Sequence, residues 1–196
     1  NSGSMIGVKS EGSEVWVSPA NNPKRKLKYT WELIKVGESL VGINTNLANK
    51  IARESIEIGV VAELQEYDTL RREVKYGRNS RIDILLEDPA KPVCYVEIKN
   101  VTLRRDQLAE FPDSVTARGT KHLGELANQV AAGARAVMYY LTQREDCDTF
   151  TVARDIDPAY AAALEKAMAA GVEVICYGCK LTPEEIQVIS TLSIEV

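Results

Sequence analysis

The chain has 196 residues, of which 45% are hydrophobic and 27% charged, with a formal net charge of −4 at pH 7. That is enough apolar material for a sizeable core, and no apolar run approaches the roughly 18 residues that a membrane-spanning helix needs. The chain is no polycation, so nucleic-acid binding would have to come from a local basic patch.

In chain order, residues 1–43 read as short β segments. Glu14-Val15-Trp16-Val17 alternates, Tyr29 to Val36 is rich in β formers, and Gly37 turns the chain into Leu40-Val41-Gly42-Ile43. Between them lies a polar, basic loop, residues 19–28. From Asn46 the period changes: Leu47, Ile51 and Ile58 recur at helical spacing, with Gly59 as a stop or a run-on to about Leu64. Three strands are expected next, over Leu70–Tyr76, Arg81–Leu86 and Cys94–Val101. A helix over Val115–Ala132 ends at Gly133, and Ala134–Leu141 is a β-prone run. Asp157-Pro158 reads as an N-cap with proline at the first helical position, opening an Ala-rich helix that stops at Gly171. Val172–Tyr177 is a further strand, and Thr182-Pro183-Glu184-Glu185 has capping-box spacing for a last short helix. The order predicts an α/β fold with a mixed sheet.

Chemistry concentrates on the central hairpin. Asp88, Pro89 and Pro92 lie between two strands, with the turn centre expected near Ala90, midway between Asp83 and Glu97. Opposed residues of an antiparallel pair share a face about 5 Å apart, and period-two alternation adds Lys99 to that face about 7 Å from Glu97. Two adjacent carboxylates repel unless one is protonated or a cation sits between them. An oxygen site of this kind suits Mg2+ or Mn2+, which keeps several waters and accepts substrate phosphate. Asp83, Glu97 and Lys99 are therefore the candidate catalytic set. Glu54 falls on the Leu47/Ile51/Ile58 stripe and is the candidate third metal ligand beside Asp83 and Glu97, the alternative being a salt bridge to Arg71 or Arg81.

Arg118, His122, Glu125 and Gln129 share one helical face, expected to meet a phosphate, or else to hold the metal patch through Glu125 and His122. His122 is the only histidine, which excludes a histidine-based zinc site. Cys176 and Cys179 have C-x-x-C spacing but lack a second ligand pair for zinc and the helix N-terminus of a redox thiol. The four cysteines, Cys94 and Cys147 included, are too irregular for a disulfide scaffold and fit a reducing cytoplasm. Lys24, Arg25, Lys26 and Lys28, with Tyr29 and Trp31 beside them, form a basic and aromatic cluster of the type that neutralises phosphates and stacks on unpaired bases.

Taken together, Asn1-Ser2-Gly3-Ser4-Met5, Lys28-Tyr29-Thr30-Trp31-Glu32, Asn44-Thr45-Asn46, residues 73–77, Ser80-Arg81-Ile82-Asp83, residues 95–103 and the run Phe111–Leu126 resemble the sugar fermentation stimulation protein family of bacteria and archaea. The resemblance implies an N-terminal OB-fold joined to a PD-(D/E)XK (restriction-endonuclease-like) domain, here residues 1–43 as a partial OB-fold-like β subdomain and 44–196 as the nuclease-like domain. It implies DNA as partner, residues 24–31 as a DNA-facing surface, and Asp83, Glu97 and Lys99 as an active site, live or retired; in the nuclease reading Arg118 or His122 would hold phosphate. It also implies that Asn1–Met5 is native and interior, preceded by further strands. Two functions compete on this reading: a Mg2+- or Mn2+-dependent nuclease, and a non-catalytic DNA-binding regulator of sugar-utilisation genes. The intact acid-acid-lysine set favours the first, and the lack of a recognisable helix-turn-helix disfavours a sequence-specific repressor.

Overall fold

The computed structural model describes residues 3–20, 22, 24–77 and 79–196. Asn1 and Ser2 of the N-terminal segment, Asn21 and Pro23 of the basic loop, and Arg78 lie outside them.

The N-terminal segments pair as an antiparallel sheet, β1 (Val15–Pro19), β2 (Tyr29–Val36) and β3 (Ser39–Gly42), in that order. Val8, Ile34, Val41 and Ile43 form its small core. It docks on the main body where the Gly42 amide donates to the Gln143 carbonyl at 2.9 Å. That approach needs a glycine, since a Cβ on Gly42 would meet Gln143 Oε1 at 2.5 Å.

The main body is a six-stranded mixed sheet. Helix α1 (Thr45–Glu57) precedes β4 (Thr69–Tyr76), β5 (Ser80–Glu87) and β6 (Cys94–Val101), an antiparallel meander. The short β7 (Leu103–Arg105) and β8 (Leu108–Phe111) lead to α2 (Ala117–Ala131). Then come β9 (Arg135–Thr142), β10 (Thr149–Val152), α3 (Pro158–Ala169), β11 (Glu173–Leu181), β12 (Ile186–Thr191) and β13 (Ser193–Glu195). The large sheet runs β12-β11-β9-β6-β5-β4, with β9 parallel to both β6 and β11. A second, four-stranded sheet runs β13-β10-β8-β7. Residues 136–141 of β9 are all fully buried, as an unbroken apolar run in the middle of a two-sided sheet should be. One face of the sheet packs on α1 and the other on α2 and α3.

The expected hairpin register is observed. Ile84 faces Val96, Leu85 faces Tyr95 and Leu86 faces Cys94, a pairing centred on Ala90. Asp157 caps α3 as read: its Oδ1 accepts from Tyr160 N at 2.9 Å, while Oδ2 accepts from Thr116 N at 2.8 Å at the start of α2. Asp157 is buried and satisfies two helix-terminal amides, so Asp157→Ala should cost about 2 kcal/mol of stability, checked by urea denaturation.

Two expectations fail. Thr182 does use its hydroxyl as a cap, accepting from Glu185 N at 3.1 Å, but no helix follows. The chain enters β12, where Ile186 and Val188 turn inward at period two and pair with β11. The buried face of α1 is also rotated from the expected stripe. It consists of Ala48, Ile51, Ala52, Ser55 and Ile56, in which the small Ala48, Ala52 and Ser55 seat the helix close to the sheet. Ile58 is left 69% exposed, and Glu54 is exposed with it.

Candidate active site

Asp83 lies within β5, just beyond Ile84, the last residue paired with β6, and Glu97 and Lys99 alternate on β6. The strands separate there because the Asp83 side chain takes the donor a ladder would use: Ile98 N donates to Asp83 Oδ2 at 2.8 Å. Asn49 of α1 donates to Asp83 Oδ1 at 2.7 Å. Val96 and Ile98 point to the opposite face and pack under α1. Glu97 is 2% exposed. Its Oε1 accepts from Lys99 Nζ at 2.6 Å and is hydrogen bonded to His122 Nδ1, while its Oε2 is buried without a protein partner among the described residues.

The two carboxyls titrate apart. Burial, and then the charge of Glu97, pushes Asp83 up to about 6 against its hydrogen bonds from Ile98 and Asn49. Burial alone would raise Glu97 too, but the His122 hydrogen bond and the Lys99 charge together hold it below the ordinary carboxylate range. Glu97 thus carries the fixed negative charge, and Asp83 carries a proton more readily than an exposed aspartate.

These groups open into a cavity of about 480 Å3 whose lining includes Asn49, Asp83, Glu97, Lys99, Arg118 and His122. The expected face of α2 does turn toward the acids, but its members divide. Arg118 is exposed, whereas His122 is 3% exposed and lies between Glu97 and Arg118. Of the two roles expected for this face, His122 takes the one at the acidic patch, and Arg118 is the member left exposed at the cavity. Glu110 also lines the cavity, where Arg105 holds it with both Nε and Nη2 while gripping Asp155 as well.

Glu54 is not in this site. It lines a separate cavity of about 510 Å3, beside Ile58 and the residues entering β12, because α1 turns its small residues rather than Glu54 to the sheet. Among the described residues no group of three or more His, Cys, Asp and Glu side chains is placed to hold a metal ion. What α1 contributes is Asn49, which sequence reasoning missed. Its signal was available, since Asn46 and Asn49 lie one turn apart beside Ala48 and Ala52.

Lys24, Arg25, Lys26 and Lys28 are exposed, and Arg25 Nη1 donates to Thr30 Oγ1 at 2.8 Å. Trp31 is not a free stacking surface. Its indole N–H donates to the Leu33 carbonyl at 2.8 Å and its ring packs on the Val8/Ile34/Val41 core. The exposed aromatic ring of the cluster is Tyr29, at 61%. The four cysteines are free thiols. Burial pushes both Cys176 and Cys179 up to about 12, which leaves neither as a thiolate for metal or redox work.

A family model described as the sugar fermentation stimulation protein RE domain matches residues 46–185, and one described as the SfsA N-terminal OB domain matches residues 1–43. The chain belongs to the sugar fermentation stimulation protein family. It is 57% identical over 196 residues to a sugar fermentation stimulation protein homolog of Paramagnetospirillum magneticum, covering 100% of this chain and 83% of the relative. It is 59% identical over 193 residues to the homolog of Rhodospirillum centenum, covering 98% and 83%. The structure of Pyrococcus furiosus SfsA in complex with Ca2+ superposes with a TM-score of 0.91 at 27% identity, covering 100% of this chain and 84% of that one. In this member of the family the two matches meet at the start of α1, so the OB match coincides with the three-stranded sheet and the RE match with the sheet that carries the acids. No helix among the described residues is long and apolar enough to cross a membrane.

Proposed function

We propose that this protein is a cytoplasmic, metal-dependent deoxyribonuclease that uses Mg2+ or Mn2+ at the cavity of Asp83, Glu97 and Lys99. The observation that carries this reading is the buried Glu97 Oε2, which has no protein partner among the described residues and lies in a cavity shared with a second, half-buried carboxylate, Asp83. An unpaired buried carboxylate oxygen is costly, and a cation is its natural complement. Two carboxylates with room for waters fit Mg2+ or Mn2+ better than Zn2+, for which the cavity offers one histidine already bound to Glu97. The Pyrococcus furiosus homologue in complex with Ca2+ supports a divalent ion, and the match to an OB domain supports a nucleic-acid partner.

A bound divalent ion would lower the pKa of a water and neutralise charge on the phosphate. Asp83 and Glu97 would hold that ion. Lys99, with Nζ 2.6 Å from Glu97 Oε1, adds a positive charge at the cavity floor against the charge that builds on the phosphate oxygens. Arg118, exposed at the cavity mouth, meets the incoming phosphate, and Lys24, Arg25, Lys26 and Lys28 with Tyr29 engage the DNA backbone and bases.

A second reading, a DNA-binding regulator on a retired nuclease scaffold, draws on one observation: α1 supplies Asn49 to Asp83 where a third carboxylate was expected. The separating experiment is cleavage of end-labelled single- and double-stranded DNA with Mn2+, Mg2+ or EDTA. Cutting in metal that EDTA abolishes is the expected result. Retained binding with no cutting in either metal would establish the second reading.

The same site sets a pH dependence. Asp83, raised to about 6, must release its proton to ligate a cation. Mn2+ affinity should therefore level off above about pH 6 and fall by about tenfold per unit below it, measured by titration calorimetry. A flat profile from pH 5 to pH 7 would remove Asp83 from the ligand set.

A further inference from the structure

The two oxygens of Glu97 stand in different surroundings. Oε1 is bonded to both Lys99 Nζ and His122 Nδ1, while Oε2 has no protein partner among the described residues. The His122 ring is engaged from its other side as well, since Arg118 Nε points at Nε2 over 3.4 Å. A ring nitrogen that receives an N–H presents its lone pair, so the proton sits on Nδ1 and is directed at Glu97. The ring has little freedom to leave this position. Leu123 and Leu126, on the same helix, are completely buried, and α2 is pinned at its start by Thr116, whose hydroxyl accepts from Gly119 N at 3.1 Å.

A carboxylate turns easily about its last torsion, whose profile is broad and roughly two-fold. Something must decide which oxygen faces the cavity floor and which faces a ligand. Lys99 alone decides poorly, because an ammonium on a flexible stem offers three rotatable donors. A buried imidazole, held at both nitrogens, decides well.

We propose that His122 is a positioning residue: its Nδ1–H fixes Glu97 Oε1 so that Oε2 is presented to the divalent cation, and its Nε2 ties that carboxylate to Arg118 at the cavity mouth. This rests on the reading of Asp83 and Glu97 as cation ligands. It gives the only histidine of the chain a role other than phosphate contact, and it links the residue that meets substrate to a residue that meets metal through one ring.

The test is Mn2+ binding to the DNA-free protein, read from the electron paramagnetic resonance signal of free Mn2+, for wild type, Asp83→Ala, His122→Ala, His122→Asn and His122→Gln. The amide nitrogen of asparagine lies about where Nδ1 lies, and that of glutamine reaches about where Nε2 lies. Loss of an outer hydrogen bond of this kind costs about 10- to 100-fold in metal affinity. His122→Ala should weaken Mn2+ by that factor, His122→Asn should recover most of it, and His122→Gln should not, although the two amides are equally polar. Equal affinities for the asparagine and glutamine variants, at equal melting temperatures, would overturn the proposal even if the alanine variant failed to fold. Wild-type affinity in His122→Ala, with binding still lost in Asp83→Ala, would overturn it while leaving the cation site standing. Wild-type binding that Asp83→Ala leaves intact would instead overturn the cation site, and this proposal with it.

Discussion

Asp83→Ala is expected to abolish Mn2+ binding at neutral pH and to reduce metal-dependent cleavage to background, while Lys99→Ala keeps the metal and loses about 10²–10³-fold in turnover. The difference follows from what each group touches. Asp83 lies at the opening between β5 and β6, held by Ile98 N at 2.8 Å and Asn49 at 2.7 Å, so its carboxylate is aimed before any ion arrives. Removing it leaves Glu97 without the neighbouring carboxylate that a cation would share. Lys99 is different: it is bonded to an oxygen that His122 also holds. Its loss leaves Glu97 oriented but removes the positive charge that the proposed reaction would set against the transition state. Lys99→Arg should do little better than alanine, because a planar fork cannot replace a compact ammonium 2.6 Å from one oxygen. Calorimetric Mn2+ titration beside single-turnover cleavage separates the two variants. If Lys99→Ala lost metal as completely as Asp83→Ala, the lysine would belong to the ligand framework and not to the chemistry.

The part of this site that was legible in the sequence is the part governed by short-range periodicity. A hairpin centred on Ala90 fixes Asp83 opposite Glu97, and alternation places Lys99 with them; both depend only on residues 80–101, and both hold. Glu54 was misplaced because the stripe was traced through the largest apolar residues. Helix α1 instead packs through Ala48, Ala52 and Ser55, whose small size is what the close approach requires. The four-stranded sheet was invisible for another reason. Its strands β7, β8, β10 and β13 are too short for alternation to register, and β10 pairs in parallel with strands some forty residues away on either side. The face of α2 carrying Arg118 and His122 could be named from the sequence, but not what it met. That depended on the packing of α2 against β6 and β9, which no local pattern encodes.

The largest stability loss is expected at Arg144, where the sheets meet. Its side chain is 3% exposed. Nε and Nη2 bind both oxygens of Asp146 at 2.6 and 2.8 Å, and Nη1 donates to the Thr102 carbonyl at 2.6 Å, between β6 and β7. Its backbone bridges to Val41 of β3, so one residue joins the N-terminal sheet, the central sheet and the loop before β10. Burial would raise Asp146, but the Arg144 fork and charge hold it below its ordinary value. Arg144→Ala leaves the Thr102 carbonyl without its donor and Asp146 with only the longer contact to Arg104 Nε at 3.6 Å. Because Asp146 is half-buried and keeps that partner, the cost should lie near the lower end of the range for a buried pair broken from one side, about 3 kcal/mol, a fall of roughly 6–12 °C in melting temperature. Arg144→Lys keeps the charge but not the fork, and should recover less than half of the loss. Because Asp146 is depressed in the folded state, its contribution is present above the ordinary aspartate range and lost as pH falls through the lowered folded value. The penalty of Arg144→Ala should accordingly shrink in acid. A penalty under about 1 kcal/mol at pH 7 would mean that the pair behaves as an exposed salt bridge and that apolar contacts alone hold the sheets together.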